Sequence, residues 1–145
     1  MTEPLVLSFD VDCEPDHAFG VWTTKLSSWW PADHTVSGEK GAEIVLEDWP
    51  GGRIFERTRA GDVHEWGRIT VWEPPRRLVY QWHLAHDPGE ATEVEIRFIG
   101  RGTATTVEIA HRGWERLGAA GPLRRRTNRA GWDGVLPHFV AACAS

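Results

Sequence analysis

The chain has 145 residues, the length of one domain, and a chain of this size buries about 68–70% of the surface that its unfolded form exposes. Hydrophobic residues make up 41% and charged residues 26%, a balance that excludes disorder, and no apolar run approaches the ~20 residues that span a bilayer. The formal net charge of −5 argues against a nucleic acid as the main partner. We therefore expect a soluble globular domain with no role at a membrane.

Cysteine and tryptophan usage adds two expectations. Cys13 and Cys143 are too few for a disulfide framework and lie outside any zinc-binding spacing, so both are predicted to be free thiols. The segment Met1 to Phe9 lacks the basic and apolar regions of a secretory signal, and a cytoplasmic location is expected. The 9 Trp residues, against 1 Tyr and 5 Phe, must either fill an aromatic core or line a cavity.

The first 41 residues predict one strand and two short helices. Apolar and polar residues alternate from Leu5 to Val11, which is typical of a strand with one buried face. Pro15 suits the first position of a helix, predicted over 15–25 with Phe19 and Trp22 on its apolar face. A second helical turn over 27–30 ends before Pro31, and 32–41 is predicted as a loop.

Residues 42–112 predict six further strands separated by turns rich in glycine and proline, the pattern of an antiparallel meander. Three runs alternate most clearly, and each is expected to face a common interior: Leu78, Tyr80, Trp82 and Leu84; Val94, Ile96 and Phe98; Val107, Ile109 and His111.

The last segment has helical spacing of apolar residues over 122–143, although Pro137 is expected to kink or break it. Seven antiparallel strands cannot bury both faces alone, so this helix should lie across the concave face of a curved sheet. The sequence thus predicts an α+β fold, a seven-stranded antiparallel sheet wrapped around a long C-terminal helix, with two short helices after the first strand. Such a sheet leaves a cavity beside the helix.

Short motifs resemble those of a known family. They are Trp29-Trp30-Pro31, Gly51-Gly52-Arg53, Glu65-Trp66-Gly67-Arg68, Trp72-Glu73-Pro74-Pro75, His111-Arg112-Gly113-Trp114-Glu115 and Gly131-Trp132. The order of elements is similar to the SRPBCC (START-like or Bet v 1-like) helix-grip superfamily, and these motifs resemble its branch named after activators of the heat-shock-protein ATPase. Asn128 departs from the pattern, because an aromatic residue is expected there. The resemblance implies a specific fold but no specific function, because this fold supports carriers, cyclases and co-chaperones.

Histidines and one carboxylate are the candidate polar groups. His83 and His86 would face opposite ways on a strand, so solvated histidines are favoured over a metal site, and no metal is expected. His111 is expected to point inward, either hydrogen-bonded structurally or serving a ligand. Glu56 and Arg57 are adjacent, so one faces inward and one outward, and because Ile54 and Phe55 are both apolar the sequence leaves the choice open.

Cationic and nucleophilic motifs carry less information. Arg124, Arg125, Arg126 and Arg129 lie near the start of the last helix, where the helix dipole disfavours cations. A solvated face is the favoured interpretation, and a contact with an acidic partner or a ligand carboxylate is the alternative. No nucleophile motif or phosphate-binding loop is present, so no catalytic residue is assigned and no cofactor is expected.

The favoured hypothesis is non-catalytic binding of a small hydrophobic or aromatic ligand in the cavity. Two alternatives remain: a co-chaperone-like activator of a heat-shock-protein ATPase, and a cofactor-free cyclase or hydratase that uses His111 with Glu56 or Glu115. The predicted ligand-binding residues are mostly aromatic: Trp22, Trp30, Phe55, Trp66, Tyr80, Trp82, His111, Trp114, Trp132, Leu136 and Phe139.

Overall fold

A computed structural model describes residues 3–144, and seven strands form one antiparallel sheet. Its strand order is β1-β7-β6-β5-β4-β3-β2. The α+β architecture predicted from the sequence is confirmed. The strands are β1 (Leu5–Val11), β2 (Glu43–Leu46), β3 (Arg53–Arg57), β4 (Val63–Glu73), β5 (Arg77–Trp82), β6 (Thr92–Arg101) and β7 (Ala104–Arg112).

Three α-helices complete the fold: α1 (Pro15–Thr23), α2 (Leu26–Trp29) and α3 (Gly121–Cys143). α1 and α2 connect β1 at one edge of the sheet to β2 at the other. α1 ends two residues before the predicted end, and a 3₁₀ segment, Trp114–Ala120, lies between β7 and α3. Pro137 lies inside α3 and does not break it: the helix continues to Cys143.

The inward phase of the later strands agrees with the sequence. Ile96 of β6 pairs with Ile109 of β7, and Val94 pairs with His111. All four side chains are fully buried. Leu84, expected on the same face as Trp82, lies beyond the end of β5.

Helix α3 packs its buried side against the concave face of the sheet and against α1. Phe139 contacts Trp22 at 4.8 Å and Trp29 at 5.3 Å between ring centroids, and lies 6.2 Å from Phe9. These contacts define the helix-grip arrangement. Besides Gly121 at its start, the buried positions of α3 are Trp132, Val135, Phe139 and Cys143, spaced by three or four residues as one face of a helix requires. None of the helices within residues 3–144 is both long enough and apolar enough to span a membrane.

Candidate ligand-binding cavity

A cavity of about 470 Å³ lies between the N-terminal half of α3, the residues that follow β5 and the 3₁₀ turn Ala32–His34. Its apolar lining includes Trp30, Trp82, Leu84, Trp132 and Val135. Its polar lining includes Asp33, His34, Thr35, His86, Arg124 and Asn128. A mostly apolar cavity with a few polar groups is the usual composition of a small-molecule site.

Trp30 is held in the cavity wall by a hydrogen bond of its indole N–H and by two other indoles. α2 ends at Trp29, and the Trp30 indole N–H donates to the carbonyl of His34 at 3.0 Å. The Trp30 ring lies 5.3 Å from the ring of Trp66 and 5.8 Å from that of Trp82. The wall is therefore built by contacts between rings rather than by a flexible loop side chain.

Trp132 forms the opposite wall and is fixed by His111. Its indole N–H donates to Nδ1 of His111 at 3.1 Å. Nδ1 is thus the acceptor nitrogen, which leaves the proton on Nε2, 2.6 Å from the hydroxyl of Thr92. That hydroxyl in turn donates to the carbonyl of Trp82 at 3.3 Å. A continuous hydrogen-bond chain connects the Trp132 and Trp82 walls.

His111 serves this chain as a neutral imidazole. Its side chain is fully buried, and burial together with the charge of Arg124 lowers the pKa of His111 to about 3. Both ring nitrogens are occupied by Trp132 and Thr92. Of the two interpretations left open by the sequence, the geometry favours the structural one, with His111 as a positioning residue for the cavity wall.

Four of the predicted ligand residues lie in the core behind this wall. Trp22, Tyr80, Trp114 and Phe139 are fully buried and do not line the cavity. Trp114 packs on the His111 ring at 4.3 Å, and its indole N–H donates to the carbonyl of His111 at 3.0 Å. Leu136 is half-buried beside the core, and Val135 occupies the cavity-facing position of that helical turn.

Trp66 also lies behind the cavity, paired with a buried carboxylate. Glu56 is fully buried, and it accepts hydrogen bonds from the Trp66 indole at 2.9 Å and from the backbone N–H groups of Val36 and Ser37 at 2.5 and 3.2 Å. The Ser37 hydroxyl donates at 2.7 Å. Burial alone would raise the pKa of Glu56, but these hydrogen bonds together outweigh it and lower the pKa. Glu56 therefore holds the loop after Thr35 against the sheet.

The inward position of Glu56 settles the choice between Glu56 and Arg57. Phe55 lies on the opposite face of β3, covered by the guanidinium groups of Arg53 and Arg57 at 4.7 and 5.3 Å from its ring centroid. Phe55 is thus buried on the outer face and does not line the cavity. A register shift opposite Ile54 and Phe55, next to Trp66, interrupts the alternation in this part of the sheet.

Neither carboxylate suggested as a catalytic partner contacts His111. Glu56 is engaged with Trp66 and the loop at 36–37, and Glu115 is exposed. The acid–base pair that the enzymatic alternative required is therefore not formed.

His83 corrects another expectation, because its side chain is buried rather than solvated. Its Nε2 lies 3.1 Å from a carboxylate oxygen of Glu65, and its Nδ1 lies 3.2 Å from the carbonyl of His86. His83 thus anchors the start of the loop that carries Leu84, Ala85 and His86 into the cavity lining. Within residues 3–144, no three His, Cys, Asp or Glu side chains are grouped so that they could hold a metal ion.

The arginines at the start of α3 have three different surroundings. Arg124 lines the cavity and is partly buried. Arg125 donates to the carbonyls of Glu3 and Pro4 at 2.9 and 3.2 Å and so fastens the chain before β1, whereas Arg126 and Arg129 are exposed. The predicted solvated face holds for the last two only.

Sequence reasoning missed most of the cavity's lining from α3 and the loops. Two glycines on α3 are the sequence feature that could have indicated this lining, because glycine is unfavourable inside a helix. A Cβ on Gly134 would lie 2.8 Å from Nε2 of His34, so the His34 ring packs directly on the helix backbone there. A Cβ on Gly131 would meet nothing within 4 Å, because Gly131 faces the cavity.

Comparison with known proteins defines the class. Residues 12–144 match the family described as activator of Hsp90 ATPase homolog 1-like protein. The chain belongs to this family, as its motifs suggested. No curated protein matches it.

Solved structures share the fold. The chain is 28% identical to the anthrahydroquino-gamma-pyrone synthase Txn09, solved in complex with SUM, over 97% of each chain with a TM-score of 0.68. It is 23% identical to CalC, a self-sacrificing resistance protein from Micromonospora echinospora, covering 97% of this chain and 91% of CalC with a TM-score of 0.68. CalU16 from the same organism is 20% identical, with coverages of 97% and 75% and a TM-score of 0.62. The last two similarities concern the fold alone.

Proposed function

We propose that this chain binds a small, flat aromatic molecule in the cavity between α3 and the end of β5, without transforming it. The observation that carries the proposal is the placement of Trp30, Trp82 and Trp132 around one cavity of about 470 Å³. This volume lies within the range of about 300–1,000 Å³ that small-molecule sites occupy. Indole faces bind flat rings by stacking, and such a contact contributes beyond the area it buries.

Two further observations support the proposal. The three indoles are held by hydrogen bonds or ring contacts, so the site is formed before a ligand arrives and little ordering entropy opposes binding. Txn09, the 28% identical relative, is named for an anthrahydroquinone–pyrone, which is a flat polycyclic compound. A polycyclic aromatic ligand is therefore the class that we propose to test first.

The test is a fluorescence titration of the purified chain with N-phenyl-1-naphthylamine, an uncharged two-ring dye. We expect the dye emission to rise and the tryptophan emission to be quenched in one saturable phase. Gly131→Leu adds a side chain that enters the cavity, and its Cβ would meet no other atom within 4 Å. The dye affinity should therefore fall at least about tenfold. Gly20→Leu is the matched control, because Gly20 is a helical glycine of α1 that also has open space at its Cβ and lies outside the cavity.

Three results would contradict the proposal: no saturable binding to the unmodified chain, an unchanged affinity in Gly131→Leu, or an equal loss in Gly20→Leu. Both substitutions replace a helical glycine by a better helix former, so folding should survive in each. Circular dichroism of the two variants verifies this.

A further inference from the structure

Arg124 is a partly buried cation at the rim of the cavity with few partners of its own. One of its guanidinium N–H groups donates to the backbone carbonyl of Glu90 at 3.0 Å. No ion pair within residues 3–144 includes Arg124. A guanidinium carries five N–H donors, so most of its hydrogen-bonding capacity is left over.

Arg112 shows how this chain treats a comparably buried arginine elsewhere. Its side chain is 37% exposed, and it forms ion pairs with Glu93 and with Glu95, the latter at 2.6 Å. Arg124, in contrast, faces an aromatic cavity with no carboxylate in contact. Burial lowers the pKa of Arg124, and the more distant charge of Glu90 offsets this only in part. Because Arg124 is partly buried beside the cavity, an anionic ligand there would form charge-assisted hydrogen bonds with it.

The charge of Arg124 acts on the cavity interior. After burial, the charge of Arg124 is the cause that lowers the pKa of His111, and at His86 it is likewise the next cause after burial that lowers the pKa. Asp33 also lines the rim, but its side chain is 84% exposed, and its carboxylate lies 4.0 Å from Nε2 of His34. Because Arg124 lies in the first turn of α3, the positive end of the helix dipole adds to its field. The end of the cavity beside Arg124 therefore favours an anionic group.

Trp82 supplies a second donor. The indole N–H of Trp82 has no acceptor among residues 3–144. Five other indole N–H groups have one: those of Trp29, Trp30, Trp66, Trp114 and Trp132. No fully buried polar side-chain atom in this part of the chain lacks a partner, so the Trp82 N–H is reachable from outside. An acceptor atom on a ligand stacked beside Trp82 would satisfy it.

We infer that the ligand of this cavity is an aromatic compound carrying an anionic group, such as a carboxylate, sulfonate or ionised phenol, and that Arg124 binds this group. The inference rests on the proposed function, since it specifies the ligand class of the same cavity. The rings lie between the indoles of Trp30, Trp82 and Trp132, and the anionic group points to the start of α3. Arg124 gives the specificity through charge-assisted hydrogen bonds, which are stronger than neutral ones.

The test compares two dyes with the same ring system. N-phenyl-1-naphthylamine is uncharged, and 8-anilino-1-naphthalenesulfonate carries a sulfonate on the same framework. We expect both dyes to bind the unmodified chain. In Arg124→Gln the affinity for the sulfonate dye should fall about tenfold or more, while the affinity for the neutral dye changes less than about twofold. The neutral dye thereby also shows that the variant is folded.

Arg126→Gln is the matched control, because Arg126 lies on the same helix but is exposed and outside the cavity. It should leave both affinities unchanged. The inference is overturned if the neutral dye binds and the sulfonate dye does not, if Arg124→Gln weakens both dyes equally or neither, or if Arg126→Gln has the same effect as Arg124→Gln. Failure of both dyes to bind the unmodified chain instead overturns the proposed function, and the inference with it.

Discussion

The Trp132 indole donates its hydrogen bond to Nδ1 of His111 over 3.1 Å, so helix α3 is bonded through a cavity wall to strand β7 of the sheet. The same imidazole continues through Thr92 to the carbonyl of Trp82. One neutral histidine thus holds the Trp132 indole directly and is linked through Thr92 to the backbone of Trp82. This arrangement connects the stability of the fold to the shape of the site.

His111→Phe tests this relationship through pH. The pKa of His111 is lowered to about 3 in the fold by burial and by the charge of Arg124, against about 6.5 for an unperturbed histidine. As pH falls below about 6.5 the unfolded chain takes up this proton first, so the free energy of unfolding decreases by up to about 1.4 kcal/mol per pH unit. The contribution is fully present above pH 6.5 and is lost toward pH 3.

At pH 7 the variant should be less stable by about 1–3 kcal/mol, because the Trp132 N–H loses its acceptor. Urea unfolding of both proteins between pH 7 and pH 4 measures the difference. Carboxylates titrate in both proteins, so the difference between their free energies of unfolding reports the contribution of His111. This difference should become smaller as pH falls. Parallel curves would mean that His111 is not a buried neutral group.

Glu56→Gln should destabilise the fold by about 2–3 kcal/mol. The carboxylate accepts from Val36, Ser37 and Trp66, and a carboxamide would turn an NH₂ group toward some of these donors. Urea unfolding gives the free energy, and faster hydrogen exchange at the amides of Val36 and Ser37 would locate the loss in this loop.

Glu43→Gln is the control for Glu56, since Glu43 forms an exposed ion pair with Arg57 and should contribute less than about 1 kcal/mol. Equal effects of the two substitutions would refute the role assigned to Glu56.

Phe139→Ala should cost about 3–5 kcal/mol, because Phe139 is fully buried between Phe9, Trp22 and Trp29 and its removal leaves a cavity lined by rigid rings. Chemical denaturation measures the loss. Val140→Ala, one position along α3 and partly exposed, should cost much less. A loss below about 1 kcal/mol for Phe139→Ala would place that side chain outside the core.

The sequence predicted the parts of the fold where polarity alternates without interruption. β6 and β7 have one apolar and one polar face, so Ile96, Ile109 and His111 could be assigned to the interior. The sequence could not show which residues of β3 face the interior, because Ile54 and Phe55 are both apolar and both buried, one on each face of the sheet. Phe55 is covered by Arg53 and Arg57, and the alternation of apolar and polar residues along a strand does not reveal such a cover.

The candidate site was harder to predict than the fold. A high tryptophan content indicates either an aromatic core or a lined cavity, and this chain has both: Trp22, Trp66 and Trp114 are in the core, whereas Trp30, Trp82 and Trp132 line the cavity. Long-range packing separates the two sets, and no local pattern encodes it. The remaining lining comes from loops and from a helix face opened by Gly131, whose positions depend on the whole fold.

The most direct test of the central claim is the ¹H–¹⁵N spectrum of the indole N–H groups during titration with N-phenyl-1-naphthylamine, with signals assigned by single Trp→Phe variants. Binding in the proposed cavity should shift most strongly the signals of Trp30, Trp82 and Trp132, which line it. The signal of Trp49, which is 52% exposed and outside the cavity, should stay in place. Binding that shifts Trp49 while the three cavity indoles remain unchanged would contradict the account.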